Sequence, residues 1–132
     1  MSKIYKTFGE CKGKEDITIF EVHPSYGEII RVNDLHYSEY THSNFDGTTT
    51  TFIALEKSDE TYVSGMEVEE YKNKNAFKKM NRLGCASVFL SLDDALNEST
   101  SIINERISEF NEKINELTSL NEKMQKCEFK VK

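Results

Sequence analysis

The 132-residue chain contains no tryptophan, one proline, three cysteines and three arginines, and each scarcity excludes something. Cys11, Cys85 and Cys127 are odd in number, far apart and free of any C-x-x-C spacing. That excludes a disulfide framework or zinc knuckle and fits a reducing compartment. No apolar run approaches the roughly 18 residues of a membrane span, and no signal-peptide pattern opens the chain. A soluble, cytoplasmic protein with no membrane partner is therefore expected. The net charge of −6 argues against binding duplex nucleic acid, which calls for a basic excess.

Catalytic signatures are missing too. There is no G-x-x-x-x-G-K-[ST], G-x-G-x-x-G or G-x-S-x-G. His23, His36 and His42 are not spaced as metal ligands on one helix face. The adjacent carboxylates Glu69-Glu70 and Asp93-Asp94 point apart, which suits acid–base work poorly. No catalytic residue, metal or cofactor is expected, and the chain reads as non-enzymatic.

What is present fits one α+β domain. Eight phenylalanines and six tyrosines supply bulk, so an aromatic core is expected. Residues 1–90 read as an antiparallel sheet of about six strands in a simple meander. Ile17–Val22 is rich in β-formers and stops at the turn His23-Pro24-Ser25-Tyr26-Gly27. Glu28–Val32 resumes and stops at Asn33-Asp34. A polar strand carrying Tyr37 and Tyr40 then leads to Asp46-Gly47, a pair that favours a two-residue hairpin turn. That register sets Phe45 opposite Thr48 and Tyr40 opposite Ile53. Thr48–Leu55, Thr61–Val63 and residues 83–90 complete the set, while residues 71–82 are compatible with a helical turn.

The period then changes. Ser91 is a hydroxyl N-cap with Asp93 and Asp94 in the first turn, where they meet the positive end of the helix dipole. Leu96, Ile103, Phe110, Leu117 and Met124 recur every seven residues, with Ile107 and Ile114 interleaved at the a positions. A helix over 91–126 follows, with 127–132 as a tail. At about 50 Å it outreaches strands of about 17–20 Å, so part of its seam needs another surface. The simplest is the same helix of a second copy, giving a homo-oligomer through Ile103, Ile107, Phe110, Ile114, Leu117 and Met124. Asn121, also at an a position, fits a device that fixes register.

Charge is segregated. Acids outnumber bases more than two to one in residues 1–70, whereas Lys72, Lys74, Lys78, Lys79 and Arg82 fall in a stretch from Tyr71 to Leu92 without a single acid. Such a patch suits a small anionic ligand. The three arginines, Arg31, Arg82 and Arg106, are the candidate ligand-binding residues, because guanidinium grips phosphate bidentately where lysine cannot. Arg106 sits at a g position beside the seam. An ordinary salt bridge for each is the plainer reading.

The layout of a short N-terminal antiparallel sheet entering a long helix through Val88-Phe89-Leu90-Ser91-Leu92-Asp93-Asp94-Ala95 resembles the phage Thoeris anti-defence sponge family. The resemblance implies a non-enzymatic oligomer in the host cytoplasm that sequesters a small anionic cyclic nucleotide such as a cyclic ADP-ribose isomer. It also implies one phosphate-binding arginine from the sheet and one from the helix, the parts Arg31 and Arg106 would take. A viral inhibitor or adaptor that binds a defence protein through its acidic surface is the alternative, as is a structural oligomeric accessory.

Overall fold

The computed structural model describes residues 4–81 and 84–131. The chain is α+β: a six-stranded antiparallel sheet followed by a long C-terminal helix. A 3-10 turn at Phe8–Cys11 leads into β1 (Ile17–Val22), β2 (Ile29–Ser43), β3 (Thr49–Lys57) and β4 (Glu60–Glu67). After a single helical turn, α1 (Val68–Tyr71), come β5 (Ala76–Asn81), β6 (Gly84–Phe89) and the 34-residue α2 (Leu92–Gln125).

Sheet order is β4-β3-β2-β1-β6-β5, so the first four strands form the expected meander but the last two do not extend it. The chain leaves one edge at β4 and re-enters at the other edge as β5. That jump is short because the sheet curls. Lys79 on β5 donates from Nζ to the Tyr62 carbonyl of β4 at 2.7 Å and to Glu21 Oε1 at 3.1 Å, tying the edges together. Inside the curl lie Ile17, Ile19, Leu35, Ile53, Leu55, Val63, Met66 and Val88, with Phe8 and Cys11 of the 3-10 turn, all buried. The core is thus mainly aliphatic. The expected aromatic core is not what forms: Phe45, Phe110 and Phe129 are exposed, and Phe8 is the one aromatic side chain among the largest fully buried ones.

Asn33-Asp34 does not end a strand. β2 runs through it as a bulge: Ile17 pairs with Leu35 but Ile19 pairs with Val32, and Asp34 takes φ 59°. The bulge lets β2 pair with β1 along its first half and with β3 along its second, so two expected strands are one. Residues 71–82 also differ from the sequence reading. The helical turn lies earlier, at α1, and Ala76–Asn81 is the edge strand β5.

The Asp46-Gly47 hairpin exists with another turn. Only Gly47 has positive φ (86°), and Gly47 N–H donates to Asn44 O at 3.1 Å. Asn44 pairs with Thr48 around a three-residue loop, Phe45-Asp46-Gly47, of the type I plus left-handed glycine kind. Tyr40 therefore faces Phe52, not Ile53, and Phe45 stands at the fully exposed loop tip. The Thr48 hydroxyl donates to Asp46 Oδ1 at 2.6 Å, which lowers the Asp46 pKa. The two-residue turn with both residues at positive φ occurs instead at Ser58 and Asp59 (φ 49° and 67°), between the paired Lys57 and Glu60.

Ser91 caps α2 as expected, accepting from Asp94 N–H at 3.4 Å. Ala95 and Ser99 are buried and Ile102 half-buried against Phe20, Val22, Ile29 and Phe89 of the sheet. From Ile107 to the last described residue every position is exposed. Roughly 28 Å of helix, at 1.5 Å per residue, thus projects past the sheet. No helix among the described residues is long and apolar enough to cross a membrane.

Candidate functional site

The helix comes close to the sheet at the turn between β1 and β2. His23 N–H donates to Glu28 O at 2.8 Å and Gly27 N–H to His23 O at 2.9 Å, closing a compact loop. Gly27 takes φ 77°, and a Cβ placed there would lie 2.8 Å from Ser99 O and 3.2 Å from Ile103 Cγ1. Glycine is required twice over, for its dihedral and for the close approach of the helix. The buried Ser99 hydroxyl donates to Gly27 O at 2.5 Å.

Two turns beyond Ser99 along α2, Arg106 holds the same loop. Its Nε donates to Ser25 O at 2.6 Å, and Nη2 lies 3.5 Å from Pro24 O. Nη1 meets both carboxylate oxygens of Glu109, at 3.1 and 3.0 Å. The guanidinium is therefore anchored by backbone carbonyls on one edge and by one acid on the other. Its side chain is 30% exposed, and with Ser25, Tyr26, Glu109 and Phe110 it lines a shallow, open cavity of about 310 Å³. Tyr26 and Phe110 are both more than half exposed, so two aromatic side chains and a guanidinium share one surface depression.

Arg31 lies elsewhere. On β2 it pairs with Phe20, which puts it on the helix side of the sheet, with its guanidinium 6.0 Å from the Phe20 ring centre. Its Nε donates to Asn33 Oδ1 at 2.9 Å, an atom that also receives the Thr18 hydroxyl at 3.1 Å. Arg31 thus braces the β2 bulge, and it shares neither a hydrogen-bond partner nor a cavity with Arg106 among the described residues. Arg82 lies outside the described residues.

The seam residues of α2 are displayed together: Ile103, Ile107, Phe110, Ile114, Leu117 and Met124 are 42–58% exposed. Leu120, 51% exposed, belongs with them. Heptad counting puts it at g and misses it, although it stands three residues after Leu117 and four before Met124. The sequence marks Tyr26 only as a turn residue. What makes it a lining residue is a fold that sets the turn beside a helix some 80 residues away in sequence.

Two other features are polar. A groove of about 520 Å³ is lined by Glu39, Thr49, Thr50, Thr51, Glu67, Val68 and Glu69. On β2, β3 and β4, Glu56 accepts from Tyr40 OH at 2.8 Å and the Thr61 hydroxyl at 3.2 Å, with His36 Nε2 at 3.7 Å. These partners, with Ser38 the strongest, lower the Glu56 pKa, and the Tyr40 phenol is raised in turn. Cys11 is sealed in the core, where burial pushes its thiol up to about 12. Among the described residues no group of three or more His, Cys, Asp or Glu side chains is placed to hold a metal ion. No protein-family model, curated protein or solved structure matches the chain.

Proposed function

We propose that this protein is a non-catalytic binder that self-associates through α2 and sequesters a small anionic cyclic nucleotide at the cavity beside Arg106. One observation carries the reading: an anchored guanidinium and two exposed aromatic rings, Tyr26 and Phe110, line the same concavity. A phosphate would take over the Arg106 edge now held by Glu109, whose side chain is 52% exposed and free to swing away. The rings offer faces for a base, and the arginine adds a cation beside them. Phe110 also belongs to the apolar seam, so pairing of helices and ligand capture would share a side chain. Arg31, on the same side of the sheet, would serve a more extended ligand.

Calorimetry and thermal shift with cyclic ADP-ribose isomers and small cyclic oligonucleotides test this. Ligand at a hundredfold excess over Kd should add about 2.7 kcal/mol of stability, and intact ligand should be recovered on denaturation. Arg106→Lys should weaken binding about ten- to a hundredfold, since it keeps the charge and loses the fork. Tyr26→Ala should weaken it too while leaving the fold intact, because that ring is 65% exposed. Ile107→Asp with Ile114→Asp should yield a folded monomer, as both side chains are already about half exposed in the single chain. No heat and no stabilisation across the panel would overturn the reading. The acid-lined groove over Glu39, Glu67 and Glu69 would then favour a protein-binding inhibitor that engages a basic partner.

A further inference from the structure

The acid-free stretch from Tyr71 to Leu92 plays no part in the Arg106 cavity, yet the fold gives it a concave surface of its own. β5 and β6 pair so that Ala76 faces Phe89 and Lys78 faces Ser87. Phe89 in turn pairs with Phe20, which packs against α2, so these four side chains lie on the helix side of the sheet. Glu98 of α2, with Tyr71, Lys74 and Phe77, completes the lining of a groove there. The groove holds about 280 Å³ and shares no lining residue with the cavity at Arg106.

Its charges are unevenly committed. Lys72 pairs with Glu69, Lys74 with Glu70, and Lys79 with Glu21, each at 3.0–3.6 Å. Lys78 is exposed and has no ion-pair partner among the described residues. Lys74 is held with its Nζ 4.8 Å from the Tyr71 ring centre, and Tyr71 is itself fixed edge-on against Phe77 at 5.3 Å. Two ammonium groups thus belong to the lining, and that of Lys78 is the uncommitted one. The Phe89 ring, the Ala76 methyl and the buried Ser87 side chain line the groove with them. The single carboxylate of the lining, Glu98, can accept a hydrogen bond.

We propose that this groove is a second ligand site, for a phosphate ester carrying a flat ring with hydrogen-bond donors, of nucleoside monophosphate size. The phosphate meets Lys78, the lining ammonium without an ion-pair partner among the described residues, the ring lies on Phe89 and Ala76, and a ligand N–H or O–H reaches Glu98. The volume lies just below the roughly 300–1,000 Å³ usual for ligand sites, which leaves a mononucleotide partly outside the groove and gives no room for a dinucleotide inside. The site does not depend on the function proposed above.

Amide NMR titration of the full chain with AMP tests it, with adenosine and inorganic phosphate as separate arms. AMP at millimolar concentration should shift the amides of Ala76, Ser87, Phe89 and Glu98 together. Each fragment alone should bind at least about tenfold more weakly, because each satisfies only half of the groove. Lys78→Glu, a change at an exposed position, should weaken AMP by about tenfold or more and leave the remaining spectrum in place. Tyr26→Ala should not alter these shifts, which separates this site from the Arg106 cavity. No shift in β5 and β6, shifts that persist in Lys78→Glu, or equal shifts with inorganic phosphate would each overturn the proposal.

Discussion

Gly27→Ala is the most direct test of how α2 is seated. Two costs are combined at this position. Alanine at φ 77° lies in the left-handed region, which costs about 1–2 kcal/mol for an L-residue. Its methyl would also lie 2.8 Å from Ser99 O, a backbone atom of α2 that can retreat only if the helix lifts. Overpacking of that kind costs about 1–3 kcal/mol. The sum is about 2–5 kcal/mol, a large part of the ordinary stability of a small domain. Gly47→Ala is the matched control: its φ is 86°, but nothing lies within 4 Å of the new methyl. It should pay the dihedral cost alone, and the loss of unfolded-chain freedom cancels between the two variants. Urea denaturation should therefore separate them by about 1–3 kcal/mol, or very roughly 4–12 °C in melting temperature for a chain of this length. Hydrogen exchange should place the damage, with protection lost first over Ala95–Ile102 and kept over β3. If Gly27→Ala proves no costlier than Gly47→Ala, the helix is not seated on this turn.

Two further outcomes follow from titrating groups. Cys85 and Cys127 are exposed and should react with a thiol reagent at pH 8 within minutes, whereas Cys11, raised to about 12 by burial, should react only when denaturant opens the core; three equally fast thiols would contradict the packing around Phe8. Glu56 is lowered from the ordinary glutamate range by the Ser38 and Tyr40 hydrogen bonds, so its contribution is present above its unfolded pKa of about 4.3 and is lost as pH falls through the lower folded value. Denaturant titrations should show wild type exceeding Glu56→Gln at pH 7 and the gap closing in that acid window; a gap independent of pH would mean that the hydrogen bonds do not depend on the charge.

Much of this architecture can be read along the chain, and the misses have local causes. β1 was legible to the residue because five of its six side chains are buried. Ser91 and the heptads marked α2 because capping and periodicity are local signals. β5 was hidden by its own position. An edge strand is commonly guarded with lysines, and Lys78 and Lys79 erase the alternation that would have announced it. The Asp46-Gly47 pair suggests positive φ at both residues, but Gly47 alone adopts it, and that one residue of register turns Tyr40 from Ile53 to Phe52. Arg106 could be nominated by residue type. That it is gripped by Ser25 and Glu109 depends partly on a contact 81 residues long, which no periodicity encodes.

The side chains along α2 change size where the sheet ends, and this bears on the self-association proposed above. Against the sheet the helix uses Ala95 and Ser99, small enough to let the backbone reach Gly27. Past Arg106 the neighbouring face carries Ile107, Phe110, Ile114, Leu117, Leu120 and Met124, each 42–58% exposed. A helix meant for water alone would end its apolar stripe where the sheet ends. Burying the remaining half of each of these side chains, and of Ile103, is worth about 1 kcal/mol apiece, or on the order of 5–10 kcal/mol for one chain. Association costs about 4–15 kcal/mol, so a partner that adds little apolar surface leaves small profit. A second copy presents the same stripe and doubles the gain. In a parallel pair it also sets Asn121 against Asn121, so that the one polar a position in the projecting seam finds a hydrogen-bonding partner in a single register.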